Sequence, residues 1–322
     1  MTALKQQRRL KILIWHIHGS YLDAITSVEH DWYLPVKDGP DGYGGRRWSS
    51  PDWVHEIAFE RVRDLELDLI IFQSPRNLQV DAAETLSAEQ QSLPRIYLEH
   101  NVPRPHAVDT RHPVDDPHTL LVHVTHYNQL MWDNGSTPTM VIEHSVAIDR
   151  TVRYSGTLER GITVINGIQK RPRIAGYDLF LQARELVPLD IAGMETETFG
   201  GLGDIPYREL HARMAQYRFL FSPIRYTSLP LAVIEAMTIG TPIVALATTE
   251  LPTVIENGVT GYLCCELDEL IERMRYLIAN PAVARKLGNN ARRVAAERFG
   301  LDRFARAWNL AFERAIALRH AP

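Results

Sequence analysis

The chain has 322 residues, of which 45% are hydrophobic and 23% are charged, which is typical of a globular protein with room for two domains. A net charge of −4 excludes a broad electrostatic attraction to nucleic acid, so no nucleic-acid partner is expected. Adjacent cysteines rarely pair, so Cys264 and Cys265 predict no disulfide framework and favour a reducing, cytoplasmic location.

Neither a long apolar run nor a signal peptide is found, so membrane association is expected to be peripheral at most. The basic segment 1–11 is expected to be a solvated tail, with weak attraction to anionic lipid as the alternative.

Short apolar runs in the first half predict buried strands, because each run ends at polar or turn-forming residues. The runs are KILIWHI (11–17), LDLIIFQ (67–73), RIYLEHN (95–101), TLLVHVTH (119–126) and TMVIEHS (139–145). Polar or helical segments such as 82–91 separate them, and this alternation predicts a parallel sheet. The Gly- and Pro-rich segment 37–52 predicts a loop.

After Asp149 the alternation begins again and predicts a second α/β domain. Strands are predicted at 161–167, 188–194, 219–223, 241–247 and 260–265. Helices are predicted at 176–186, 207–217, 231–240, 250–258, 267–279, 281–298 and 302–319. Strand carboxyl ends and helix amino ends would then line a cleft between the domains, the edge at which open α/β sheets bind ligands and anions.

The stretch RYTSLPLAVIEAMTIG (225–240) predicts a polar loop followed by an apolar helix that carries a single carboxylate, Glu235. An unpaired buried charge is costly, so Glu235 either faces solvent or meets a ligand. Thr227 or Ser228 could cap the helix, and the unpaired N–H groups at its start could hold a diphosphate. The alternative is an ordinary capped helix of an α/β domain.

The segment from Phe221 to Gly261 resembles the nucleotide-sugar-binding region of glycosyltransferase family 4 enzymes, which have the GT-B fold. The match is ungapped from Pro223 and includes Glu235-Ala236-Met237, Gly240, Pro242, Val244-Ala245, Pro252, Val254-Ile255, Gly258 and Thr260-Gly261. The resemblance implies two facing Rossmann-like domains with parallel sheets flanked by helices. These would be an acceptor-side domain at 1–152, a nucleotide-sugar-binding domain at 153–300, and a C-terminal helix at 301–322 that packs back on the first domain.

The same resemblance assigns the donor site. Glu235 matches the second Glu of the family's E-x7-E motif and would bind the ribose hydroxyls. The loop before its helix would approach the phosphates and the sugar through Arg225, Thr227, Ser228, Leu229 and Leu231. Thr227 replaces the first Glu of the motif, and Glu250 could replace the lost charge.

Upstream, NGIQKRPRIAGYDLFLQA (166–183) resembles the family segment that binds the diphosphate. Lys170 matches the family's Arg, whereas Ala175 stands at the family's Lys, so Arg171 and Arg173 could substitute as cations. In the first half, Gly19 matches the Gly-rich turn after the first strand, and His100 matches a His that contacts the donor sugar.

The implied reaction is retaining transfer of a sugar from a UDP- or GDP-linked donor to an acceptor hydroxyl, of a glycan, lipid or small molecule. Lys170, Arg173 and the helix at 231 would stabilise the leaving diphosphate, and His100 would orient the sugar, without a metal or other cofactor. Histidines at strand ends, such as His18, His100 and His144, leave a metal site as an alternative. A GT-B epimerase or phosphorylase, and a binding or scaffold protein that has lost turnover, also remain open.

Overall fold

The computed structural model describes residues 8–40, 42–47, 49–149 and 151–319. The first seven residues of the predicted basic tail lie outside the described residues. The chain divides into two units: the first is Met1–Ala147 with Leu301–Pro322, and the second is Ile148–Gly300. Among the described residues, no helix combines the length and the apolar character that crossing a bilayer requires.

A parallel sheet forms the centre of the first unit. Its strands are β1 (Lys11–Ile14), β2 (Asp31–Val36), β3 (Val54–Ala58), β4 (Leu69–Phe72), β5 (Arg95–Glu99), β6 (Thr119–His123) and β7 (Thr139–Val141). Within the described residues the sheet is seven-stranded, in the order β3-β2-β1-β4-β5-β6-β7, and all its pairs are parallel. β4 and β6 are buried along their whole length, as expected for central parallel strands.

The helices of this unit are α1 (Gly19–Ile25), α2 (Ala82–Thr85), α3 (His126–Met131) and the C-terminal α11 (Leu301–Arg319). The sequence did not predict β2, β3, α1 or α3. β2 contains Pro35, and β3 at the sheet edge exposes His55 and Glu56, so neither reads as a continuous apolar run. α1 begins at Gly19, where the sequence predicted a tight turn, and no side chain among the described residues caps it.

The C-terminal helix α11 packs on the first unit, as predicted. Its buried aromatic residues include Phe304 and Phe312, whose rings lie 5.7 Å from Tyr21 and 6.0 Å from Trp32. Asn309 Oδ1 lies 2.8 Å from a ring nitrogen of His30. An apolar stripe along α11 therefore completes the core on one face of the first sheet.

The second unit holds a five-stranded sheet in the order β12-β11-β10-β8-β9, again parallel throughout the described residues. Its strands are β8 (Leu158–Val164), β9 (Leu189–Ala192), β10 (Tyr217–Ser222), β11 (Ile243–Leu246) and β12 (Gly261–Cys264). Its helices are α4 (Pro172–Ala175), α5 (Tyr177–Leu186), α6 (Tyr207–Met214), α7 (Leu231–Ile239), α8 (Leu251–Val254), α9 (Leu267–Ala279) and α10 (Pro281–Arg298). Most of these elements match the predicted strands and helices apart from their ends, but α4 was not predicted and the helix predicted at 250–258 is limited to α8.

Candidate donor site

The strand order of the second unit reverses at β8. The chain passes from β8 outward to β9 and then returns to the other side of β8 to form β10, β11 and β12. Ligands of open α/β sheets bind outside the carboxyl ends of the strands at such a switch point. The loops that leave β8 and β10 here are 165–171 and 223–230, which carry the predicted phosphate-binding residues.

Loop 223–230 is held to helix α4, which follows loop 165–171, by hydrogen bonds to the backbone of α4. The N–H group of Arg225 donates to the carbonyl of Ile174 at 2.9 Å, and the Arg225 side chain donates to the carbonyl of Arg173 at 2.8 Å. Gly176 has a φ of 76°, and a Cβ there would lie 2.0 Å from the carbonyl oxygen of Pro223. Only glycine satisfies both the left-handed conformation and this close approach.

An Arg225–Asp178 ion pair fixes the same junction. The Arg225 Nη1 and Nη2 atoms donate to the two carboxylate oxygens of Asp178 at 2.6 and 2.8 Å, and Arg173 donates to this carboxylate at 2.8 Å. The bond from Arg225 lowers the pKa of Asp178 to about 2. Arg225 thus has a structural partner in the unit, and its contact with the donor stays a prediction.

The variant Asp178→Asn is expected to loosen the contact of α4 with loop 223–230. It removes the charge that orients two guanidinium groups, which corresponds to about 1–2 kcal/mol of unfolding free energy. Because the carboxyl pKa is depressed, the pair stabilises the fold above the usual Asp pKa of 3.8 and this contribution is lost as the pH falls towards 2. Hydrogen exchange of segments 171–178 and 223–230 at pH 7 should accelerate in this variant. The exposed Asp204→Asn variant is the control, and equal exchange in both variants would contradict the assignment.

The predicted diphosphate cations are accessible on the loop and helix after β8. Lys170 Nζ lies 2.5 Å from Glu195 Oε1, with 68% of the lysine side chain exposed, and the Arg173 side chain is 76% exposed. Arg171 is also exposed. Exposed ion pairs are worth only about 0–1 kcal/mol, so a phosphate dianion could displace Glu195 from Lys170 at little cost.

Helix α7 begins at the carboxyl side of β10 without a side-chain cap. Pro230 is its N-cap residue, and the N–H group of Val233 donates to the Pro230 carbonyl at 3.0 Å. The prediction that Thr227 or Ser228 caps this helix is therefore wrong. Ser228 precedes the N-cap residue Pro230 by two positions. Its carbonyl accepts a hydrogen bond from the Thr249 hydroxyl at 3.2 Å. Leu229 is buried, whereas Thr227 and Leu231 are partly exposed.

Glu235 faces helix α6 and is only 3% exposed, which excludes the solvent-facing alternative. The Tyr207 hydroxyl donates to its Oε1 at 3.2 Å, and His211 Nε2 lies 3.7 Å from its Oε2. Both partners come from one face of α6, at positions i and i+4. The sequence analysis missed them, although the spacing in YRELH (207–211) places a hydroxyl and an imidazole side by side.

This part of the second unit matches a known family. A model of the family described as Glycosyl transferases group 1 matches residues 197–294, which include α6 and α7. Residues 197–294 of the second unit are therefore similar to the glycosyl transferases group 1 family. The resemblance predicted from the motif around Glu235 is confirmed.

Two curated relatives match shorter segments. The MMP alpha-(1->4)-mannosyltransferase of Mycolicibacterium hassiacum is 36% identical over 123 residues, which are 37% of this chain and 29% of that protein. An uncharacterized glycosyltransferase of Haemophilus influenzae is 30% identical over 89 residues, 27% of this chain and 25% of that protein. The matched segments thus span less than a third of either relative's length.

Solved structures with the same fold cover nearly the whole chain. Alr3699/HepE of Anabaena, crystallised with UDP and glucose, has a TM-score of 0.67 at 13% identity over 95% of this chain and 100% of its own. Sucrose-phosphate synthase of Thermosynechococcus elongatus has a TM-score of 0.66 at 14% identity over 96% of this chain and 100% of its own. At these identities the likeness shows the fold alone, and the predicted GT-B fold class is confirmed.

Glu250, which could replace the charge lost at Thr227, has partners inside the second unit. Glu250 is 1% exposed, accepts the Thr253 hydroxyl at 3.0 Å and lies 3.5 Å from Arg298. Its charge is therefore opposed inside the unit. Thr249, the residue before Glu250, has a left-handed φ of 51°, which is unusual for a β-branched residue.

The predicted residues of the first unit also lie near one another. His100, directly after β5, has its ring 4.4 Å from His18 and 4.8 Å from Tyr21, next to the start of α1 at Gly19. Burial, followed by the charges of His18 and His144, holds the pKa of His100 well below its usual value. Among the described residues, no group of three or more His, Cys, Asp or Glu side chains is arranged to hold a metal ion.

Proposed function

We propose that the chain transfers a sugar from a UDP- or GDP-linked donor to the hydroxyl group of a glycan, lipid or small-molecule acceptor, with retention of the anomeric configuration. The observation that carries this proposal is Glu235, a buried carboxylate on the helix that follows switch-point strand β10. The match to the group 1 family around it supports the proposal, as do the glycosyltransferase names of both curated relatives.

In the proposed donor site, the ribose and the diphosphate each meet a matching group. The Glu235 carboxylate accepts hydrogen bonds from the ribose hydroxyls, and it also accepts the Tyr207 hydroxyl, with His211 Nε2 3.7 Å away. The amino end of α7 and the cations Lys170, Arg171 and Arg173 offset the charge of the departing diphosphate, so a metal or other cofactor is not required.

The proposed transfer is a front-face displacement. The bond between the sugar and the diphosphate breaks while the acceptor hydroxyl attacks from the same side, and the leaving diphosphate takes up the hydroxyl proton. His100 orients the sugar by hydrogen bonding, and Gly19 lies close to the ligand, with the Arg47 guanidinium in the space that a side chain at Gly19 would take. These roles follow from the family resemblance of the residues.

A second candidate, a nucleotide-binding protein without turnover, has a specific observation in its favour. Ala175 stands where the family has a lysine and is 3% exposed, so no cation reaches the diphosphate from that position. Thr227 supplies no negative charge beside the sugar. The two candidates share the nucleotide site and differ in the chemistry that follows binding.

A panel of nucleoside diphosphates tests the donor site. A ligand that binds only the folded state raises the melting temperature, so UDP or GDP should raise it. At a nucleotide concentration of 100 times the Kd, the free energy of unfolding should rise by about 2.7 kcal/mol. Lys170→Ala should weaken this binding about tenfold, whereas Lys286→Ala, an exposed lysine on α10, should not.

Turnover separates the two candidates. Incubation with UDP- and GDP-sugars should release the nucleoside diphosphate, faster when an acceptor is present. Binding without release or transfer would favour the protein without turnover. If no nucleoside diphosphate shifts the melting temperature, the assignment of the donor site is wrong.

A further inference from the structure

His211 lies beside the carboxylate on which the proposed donor site depends. It belongs to helix α6, which precedes β10 in the chain and packs against α7, the helix of Glu235. His211 is 5% exposed and Glu235 is 3% exposed, so both side chains are buried. Because both helices belong to the second unit, the arrangement of the pair does not depend on the first unit.

The imidazole nitrogen that faces Glu235 has no hydrogen-bond partner among the described residues. This atom, His211 Nε2, is buried and lies 3.7 Å from Glu235 Oε2. That distance is beyond the range of a direct hydrogen bond, and a separation of this size is typical of two atoms bridged by a third group. A buried polar atom without a partner costs free energy, so the arrangement indicates a place for a bridging group.

A hydroxyl group between the two atoms would satisfy both of them. A carboxylate oxygen only accepts hydrogen bonds, so the hydroxyl must donate its proton to Oε2. The lone pairs of the hydroxyl oxygen then accept from an N–H group, which His211 Nε2 can supply. A carbonyl or phosphate oxygen has no proton to donate and cannot bridge this pair. The pair therefore selects a hydroxyl group.

Tyr207 holds the two side chains in this arrangement. Its hydroxyl donates to Glu235 Oε1 at 3.2 Å, which leaves Oε2 on the side of His211. Its ring packs edge-on against the imidazole, with the ring centroids 4.6 Å apart. Tyr207 and His211 are one helical turn apart on α6, so the helix fixes the imidazole relative to the Tyr207 ring.

We propose that His211 is a second residue of the ribose site, and that one ribose hydroxyl bridges His211 Nε2 and Glu235 Oε2. The hydroxyl accepts from the imidazole and donates to the carboxylate. The inference rests on the proposed function for the nucleotide and adds a basis for specificity. A nucleotide that lacks the bridging hydroxyl leaves two buried polar atoms unpaired, and a site of this kind rejects such an analogue strongly.

Deoxynucleotides measure this contact. Isothermal titration of the full chain gives the Kd of UDP or GDP and of its 2′-deoxy and 3′-deoxy forms. In the unmutated protein, one of the two deoxy forms should bind about 100-fold more weakly than the parent nucleotide. In His211→Leu the same comparison should give only about tenfold, because the hydroxyl then keeps a single bond, to Glu235. The variant should weaken the parent nucleotide about tenfold and leave the Kd of that deoxy form unchanged.

Three further variants separate a ligand contact from a structural role. His211→Phe keeps a ring against Tyr207 and should behave like His211→Leu, so the comparison stands even if one of them folds poorly. His211→Gln keeps an N–H donor and should recover part of the affinity for the parent nucleotide. Glu209→Gln, at an exposed position of α6, should change no Kd.

A structural role of His211 would weaken the parent and the deoxy nucleotides by the same factor. An equal factor in His211→Leu and His211→Phe, or no change in any Kd, would therefore overturn the proposal. Equal binding of the parent and both deoxy forms by the unmutated protein would overturn it as well. If the unmutated protein binds neither UDP nor GDP, the proposed function is contradicted, which distinguishes its failure from the failure of the His211 contact.

Discussion

Glu235→Ala is expected to abolish most of the thermal stabilisation by UDP or GDP, with affinity reduced about 100-fold. A carboxylate that accepts two ribose hydroxyls loses roughly 3 kcal/mol of binding when both bonds are removed. The unliganded variant should lose a smaller amount of stability, about 1–2 kcal/mol, since the Tyr207 hydroxyl loses this acceptor and the buried His211 ring loses the carboxylate that lies 3.7 Å from its Nε2. Isothermal titration of the nucleotide and urea unfolding measure the two effects separately.

Glu235→Gln is the matched variant, because it keeps the shape and still accepts from Tyr207 while removing the charge. It should retain most of the stability but bind the nucleotide less tightly than the unmutated protein. Glu297→Ala, an exposed carboxylate on α10, controls for a general change in surface charge. Full nucleotide affinity in Glu235→Ala together with reduced stability would make Glu235 a structural residue.

Most elements of the second unit could be predicted because each of them fits a single local pattern, whereas the short α4 was not predicted. β10 is buried at every position, and its apolar run is bounded by Pro223. α9 has buried Leu270, Ile271, Met274 and Leu277 at helical spacing. The edge strand β3 of the first unit has no such pattern, because most of its residues are exposed and a core does not restrict them to apolar types.

The candidate site was predicted only as far as its residues lie close together in the sequence. The motif around Glu235 is continuous, so it identified the helix and the carboxylate. The partners of that carboxylate, Tyr207 and His211, lie on another helix, and the cap depends on the path of the chain at Pro230. Contacts between elements that are distant in sequence are set by packing, which a pattern of residue types does not encode.

The first unit is expected to lose stability in acid because His144 is buried. The residue follows β7, is 3% exposed, and neither of its ring nitrogens has a hydrogen-bond partner among the described residues. Burial, aided by His18 and Arg303, lowers its pKa from 6.5 to about 3. Below pH 6.5 the unfolded chain therefore binds a proton that the folded unit does not, so stability falls as the pH decreases until the pH reaches about 3.

Between pH 7.5 and pH 5 this single group should cost about 2 kcal/mol of unfolding free energy, at 1.36 kcal/mol per pH unit below 6.5. All six tryptophans of the chain lie in the segments assigned to the first unit, so tryptophan fluorescence in urea measures that unit selectively. His144→Leu should remove about 2 kcal/mol of the loss between the two pH values, whereas the exposed His106→Leu should not. If both variants lose as much stability as the unmutated protein between the two pH values, His144 accepts its proton in the folded state. The buried His144 imidazole is then not the source of the loss of stability in acid.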